Sequence, residues 1–262
     1  MKSQYLDKEK MNEKGFLILD DPRIGIIKRK LRRKYKTLVY ALLKDTSPQL
    51  NSNLPFNEFV TSFNLNYPEF TGSAYELFPQ IPYFSCLNNE AFFIQTLKKL
   101  GYSDIVNSAY PNFRFDRPND DYHLVGVHQD IWFSMRSQKS CVFWFLLNEG
   151  LMENIGNLLV AENTHQLGII KPLFESPDNS NPFYLDSEDF DLKSVVLKEN
   201  EVLLFDARLV HQSGINSSEY PRLTVQLRFQ DLAAMYEKGS SVVQVLHSWV
   251  KNKQEELREQ LI

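Results

Sequence analysis

The segment RLTVQLRFQ, residues 222–230, alternates in strict period two. Arg222, Thr224, Gln226 and Arg228 share one face of a strand, and Leu223, Val225, Leu227 and Phe229 share the other. On a sheet with one face in water, the polar side is simply solvated. In a closed barrel with helices packed outside, the same spelling puts polar side chains in the lumen and an apolar wall outside. Which of the two holds depends on what the flanking segments supply.

Upstream of this strand, EVLLF and a short turn lead to His211, with Ser213 two residues on. Further upstream, VGVHQDIWF (residues 125–133) carries His128 and Asp130. In a strand, residues two apart project together, so imidazole and carboxylate stand side by side while Gln129 points away. His123 has the opposite parity. With His211 as third member, the set is that of a two-histidine, one-carboxylate site, which caps one face of an octahedral iron(II) and leaves the opposite positions open. Taken singly these signals are weak. A hydrogen-bonded surface pair is also spelled H-x-D, Arg222 after Pro221 also reads as a surface charge, and Ser213 before Gly214 as a turn residue. In a barrel, however, Arg222 lies inside, where its planar fork suits a carboxylate and stays charged when partly buried.

Beyond Gly101 the chain breaks into short β-type runs between turn signals, expected as strands at residues 112–116, 124–133, 140–147, 156–161, 194–197, 201–205 and 222–230. Such spacing fits a sandwich or barrel rather than βαβ units. Before Gly101, residues 22–44 read as an amphipathic helix, residues 46–83 as irregular cover with short helices, and residues 90–100 as another helix. One domain is expected: mostly helical and irregular cover over 1–105, a β core over 106–231 with a loop insertion at about 171–193, and a C-terminal helical segment over 232–262.

Composition narrows the function classes. Of 262 residues, 43% are hydrophobic and 24% charged, which excludes a disordered or collagen-like chain. The apolar run at 142–147 is far shorter than the ~20 residues that span a bilayer. MKSQYLDKEKMNEKG lacks a secretory signal's apolar stretch, and Cys86 and Cys141 make no disulfide framework, so a cytoplasmic location is expected. The net charge of −4 neither attracts nor excludes nucleic acid. One basic cluster, Lys28, Arg29, Lys30, Arg32, Arg33, Lys34 and Lys36, gives the first long helix a very basic outer face. No aromatic residues interleave it, which argues against a nucleic-acid groove.

Over residues 112–231 the ordered pieces PNFRFDRPNDDYHLVGVHQD, SCVFWFLLNEG, GNLLVAENTHQLG and HQSGINSSEYPRLTVQLRF resemble the phytanoyl-CoA dioxygenase family of iron(II)/2-oxoglutarate oxygenases. The resemblance implies a mainly β, α+β fold: a double-stranded β-helix or jelly-roll (cupin-like) barrel with helices packed outside. It implies His128, Asp130 and His211 as ligands of Fe2+, and Arg222, assisted by Ser213, as the clamp on the far carboxylate of 2-oxoglutarate. Gln129, Arg114 and Trp144 fall where the family lines its pocket, and His165 matches a turn histidine that is not a ligand. The implied reaction consumes O2 and releases succinate and CO2 while hydroxylating a small-molecule substrate. The carboxylate at Asp130 argues against the related halogenases, which leave that position empty. AENTH replaces the family's Pro-Gly-Ser-His turn, and the family's substrates are too varied to name one. Two alternatives stay open: a non-catalytic barrel that binds an anionic partner through residues 28–36, and a cupin-type metalloenzyme that uses no 2-oxoacid. Oligomeric state is not legible.

Overall fold

The computed structural model describes residues 7–46, 49–120, 124–133, 135–173 and 184–236. His123, His247, residues 174–183 of the expected insertion and the tail after residue 236 lie outside the described residues.

The elements run α1 (Lys8–Lys14), β1 (Phe16–Asp20), α2 (Pro22–Leu42), α3 (Phe56–Asn66), α4 (Pro68–Leu77), α5 (Pro82–Ser85), α6 (Ala91–Lys99), β2 (Ile105–Asn107), β3 (Asn112–Asp116), β4 (Ser140–Leu146), β5 (Leu158–Ala161), β6 (Leu192–Ser194), β7 (Glu201–Asp206), β8 (His211–Ser213), β9 (Arg222–Asp231) and α7 (Ala233–Tyr236). Two antiparallel sheets form the frame. The larger is ordered β1-β7-β4-β9-β2, with β3 also on β9, and the smaller is β6-β5-β8. β9 is long enough to hold β3 along its first half (Asn112 opposite Gln226, Asp116 opposite Arg222) and β2 along its last residues.

β4 shows why the sheets stack. It is buried along its whole length, so its alternation sorts two apolar faces rather than core from solvent. Phe143 and Phe145 face the helices, where they join Ile24, Ile27, Leu31, Tyr35 and Val39 of α2 and the apolar side of β9. Val142, Trp144 and Leu146 face the smaller sheet, with Leu158, Val160, Leu203 and Phe205. Leu223, Val225, Leu227 and Phe229 thus form an outer wall under helices, as a jelly roll requires. The polar lumen is narrower than the alternation of β9 alone implies, because β4 and β7 line their share with apolar side chains.

Four expectations need correction. First, α2 does form, started by Asp21, whose side chain accepts from Arg23 N, and by Pro22. Its basic face is not all outer, however, since Lys28 and Arg32 are buried. Lys28 Nζ donates to the carbonyls of Lys198 and Glu201 at 3.3 and 3.0 Å. Arg32 donates to the carbonyls of Leu147 and Asn148 and forks onto Glu199 at 2.8 and 2.7 Å. These two cations tie α2 to chain ends of the large sheet that need donors.

Second, residues 124–133 do not form a strand. His128 exchanges both backbone hydrogen bonds with His211 at 2.9 and 3.0 Å, and the chain then turns through a 3-10 helix, Asp130–Trp132. Third, residues 1–105 include a strand: β1 is an edge strand paired along its length with β7. Fourth, the strand expected at 194–197 lies at Leu192–Ser194 instead, and only Val195 continues toward β5, donating to Leu158 O at 2.9 Å. No helix among the described residues is long and apolar enough to cross a membrane.

Candidate metal centre

The bridge at His128 and His211 sets two imidazoles together, with ring centroids 4.2 Å apart. Each ring is held through Nδ1, that of His128 by Gly126 O at 2.7 Å and that of His211 by Leu209 O at 2.9 Å. A carbonyl only accepts, so Nδ1 carries the proton and Nε2 presents its lone pair. The 3-10 turn after Gln129 swings Asp130 beneath the rings, with His128 Nε2 3.9 Å from Oδ1 and His211 Nε2 3.6 Å from Oδ2. One ligand atom from each residue lies within 4.8 Å of the others. Bonds of ~2.1 Å at right angles would put such atoms ~3 Å apart, so a small contraction closes the set around an ion.

The charges suit a cation. Burial lowers the pKa of His128 to about 3, and burial likewise lowers that of His211, so both rings are neutral. Burial alone would raise the pKa of Asp130, but the Arg228 guanidinium at 2.9 Å outweighs it and keeps the carboxylate ionised. Two neutral imidazoles and one carboxylate are the protonation states that metal binding needs. The donor set therefore fits a divalent ion.

Asp130 has further partners, and these were not assigned from the sequence. Gln226 Nε2 donates to Oδ2 at 2.7 Å, and Arg228 Nη2 donates to Oδ1 at 2.9 Å. Both project from the inner face of β9, so the alternation of residues 222–230 already put them in the lumen; only the turn at Asp130 was missing.

The other expected residues fall in three places. Arg222 is 2% exposed. Its Nε and Nη2 reach Asp116 Oδ2 at 3.0 and 2.9 Å, and Nη1 donates to Gly214 O at 2.9 Å and to Gly156 O. Gly156 has φ 81°, and a Cβ there would lie 2.7 Å from Arg222 Nη1 and 2.6 Å from Gly214 O, so only glycine fits. Arg114 Nη2 binds Asp116 Oδ1 at 2.7 Å. Arg222 and Arg114 thus share one buried carboxylate, a partner the sequence reading did not identify. Ser213 lies two residues after His211 on the same face of β8, opposite Leu158. Trp144 is opposite Gln226 across β4 and β9, on the inter-sheet side.

Gln129 is turned away from the cluster. It donates to Gly168 O and Arg208 O and accepts from Ile170 N, which fixes the loop behind His128 and Asp130. His165 packs on α1, with Nε2 3.0 Å from Asn12 O, and is not part of the cluster. Asn163, in the AENTH turn, takes φ 70°, a conformation asparagine tolerates.

EctD from S. alaskensis, solved with 2-oxoglutarate and 5-hydroxyectoine, matches over 87% of this chain and 76% of its own at 16% identity and a TM-score of 0.57. AviO1 from Streptomyces viridochromogenes Tue57 matches over 87% of this chain and 94% of its own at 16% identity and a TM-score of 0.52. The chain has their jelly-roll fold. SnoN, a non-heme alpha ketoglutarate dependent epimerase from nogalamycin biosynthesis, matches over 86% of this chain and 80% of its own at 14% identity and a TM-score of 0.51. EctD has also been solved with bound Fe, and that structure matches at a TM-score of 0.56. No family model matches the sequence, and no curated protein matches it significantly.

Proposed function

We propose that the chain is a non-haem Fe(II)- and 2-oxoglutarate-dependent oxygenase that hydroxylates a small-molecule substrate in the cytoplasm. The observation that carries this reading is the buried set of His128, Asp130 and His211, within 4.8 Å, in the fold of proteins solved with Fe and with 2-oxoglutarate. His128 Nε2, His211 Nε2 and one Asp130 oxygen would hold the iron. When bound, iron with 2-oxoglutarate and O2 supplies the oxidising chemistry, with succinate and CO2 released. The protein's part is positional. Gly126 O and Leu209 O fix the imidazole tautomers, Gln226 and Arg228 orient the carboxylate, and Phe205, edge-on to His211 at 4.8 Å, excludes water from one side.

Arg222 with Ser213 is the proposed clamp for the far carboxylate. Its guanidinium already grips a carboxylate, that of Asp116, so a cosubstrate reaches it by taking the place of Asp116 or of a glycine carbonyl. The test is anaerobic addition of Fe(II) and 2-oxoglutarate. A visible charge-transfer band should form and should vanish in His128→Ala. Absence of both that band and any succinate sinks the proposal, and oxygen uptake without 2-oxoglutarate would point to cupin-type chemistry. SnoN is an epimerase, so product analysis must separate hydroxylation from other outcomes.

A further inference from the structure

Arg228 projects from the inner face of β9 onto the metal-ligand cluster. Among the described residues its side chain donates through Nη2, to Asp130 Oδ1 at 2.9 Å and to Gln226 Oε1 at 2.7 Å. A guanidinium has five N–H donors, so Nε and Nη1 remain, and Nε is buried with no hydrogen-bond partner among the described residues. Buried charged donors without acceptors are rare in folded proteins, and each one calls for a missing partner. The side chain is 14% exposed, so part of it is reachable.

The local charge points the same way. Asp130 is already ion-paired with Arg228 at 2.9 Å, so a divalent ion held by the cluster would bring positive charge into a buried site with no further acid of the cluster to offset it. Such a centre attracts oxyanions. We infer that Arg228 is an oxyanion receptor beside the metal centre, giving charge-assisted hydrogen bonds to a carboxylate, phosphate or sulfate oxygen of the ligand bound there. The chemistry is the same whether that oxygen belongs to the 2-oxoacid or to an anionic primary substrate. The inference rests on the metal-centre reading.

The experiment uses the full chain loaded with Zn(II), which is redox-inert and accepts the same nitrogen and oxygen donors. Zinc affinity is measured first by calorimetry. 2-Oxoglutarate is then titrated into the zinc form, and inorganic phosphate into the zinc form saturated with 2-oxoglutarate. In Arg228→Gln, affinity for one of these anions should fall about 10- to 100-fold while zinc affinity holds or rises, because a competing cation has left. Arg228→Lys should recover part of the loss. A loss confined to 2-oxoglutarate assigns the oxyanion to the cosubstrate, and a loss confined to phosphate assigns it to the substrate side. Weakened zinc binding with both anion affinities within twofold of wild type overturns the inference and leaves Arg228 as a positioning residue for Asp130. A wild-type protein that binds no zinc overturns the metal-centre reading itself, a distinct failure.

Discussion

Two arginines on the inner face of β9 each pair with an aspartate from another segment, Asp116 of β3 and Asp130 of the 3-10 turn, and the two pairs are built to opposite specifications. At the first, Arg222 is 2% exposed, held by Asp116 through Nε and Nη2 and by two glycine carbonyls through Nη1. At the second, Arg228 touches Asp130 through one nitrogen and its buried Nε has no partner among the described residues, while Asp130 itself faces two lone-pair nitrogens. The first pair is closed by protein groups. The second is left open where a ligand can complete it. Two arginines of one strand therefore differ in how far protein groups satisfy them: Arg222 receives a ligand only by giving up a protein partner, whereas Arg228 has a donor to spare, and the difference lies in hydrogen-bond accounting rather than in residue type.

The largest effect expected from this contrast is on metal uptake. Asp130→Ala or His211→Ala removes a ligand and should weaken zinc or Fe(II) binding beyond the roughly 10- to 100-fold typical of losing an outer partner, whereas Asp116→Ala should leave metal affinity unchanged. Equilibrium metal titration of the three variants decides it. Equal losses at Asp116 and Asp130 would erase the distinction between the two pairs.

Stability should rank them the other way. Asp116→Ala strands Arg222 in a buried site and should cost roughly 3–5 kcal/mol, as breaking a buried ion pair does. Asp130→Ala leaves Arg228 with Gln226 and some solvent, and should cost roughly 1–3 kcal/mol in metal-free protein. Urea unfolding of the metal-free variants measures both. If Asp130→Ala is the more damaging, the second pair is also part of the framework.

Much of this was legible from the sequence, because period two in residues 222–230 is a backbone property that tertiary context preserved. The apolar wall and the lumen-facing polar residues follow from it, whereas the grouping of His128 and Asp130 with His211 comes from the H-x-D pair and the family resemblance. What stayed hidden depended on partners far apart in the chain. Lys28 and Arg32 look like solvated helix charges until the carbonyls of Leu147, Asn148, Lys198 and Glu201 are seen beneath them. Residues 124–133 have strand-like spelling, but the turn at Asp130–Trp132 is set by long-range bonds such as Ile131 N to Ala207 O at 2.9 Å. Gln129 shows the same limit: between His128 and Asp130 in sequence, it serves the loop at Gly168 and Ile170 instead.

The smallest expected effect comes from Asp231, the acid of β9 itself, which is closed like Asp116 but lies at the strand's end. Lys139 Nζ at 2.9 Å and the backbone N–H groups of Asp104 and Ser103 at 2.9 and 3.0 Å donate to it. Burial alone would raise its pKa, but these donors outweigh burial and hold it at about 2. The folded state therefore favours the ionised carboxylate more than the unfolded chain, whose value lies near 3.9. Stability from this group is complete above about pH 4 and is lost as pH falls toward 2, since the unfolded state binds the proton first. Urea midpoints of wild type and Asp231→Asn, followed from pH 6 to pH 2, should differ by a constant amount down to about pH 4 and converge below it. Because other acids titrate in both proteins alike, only the difference between the curves reports Asp231. A gap that persists unchanged to pH 2 would mean that the donors at this end of β9 do not hold the charge, and that closure by protein groups is confined to the Arg222 pair.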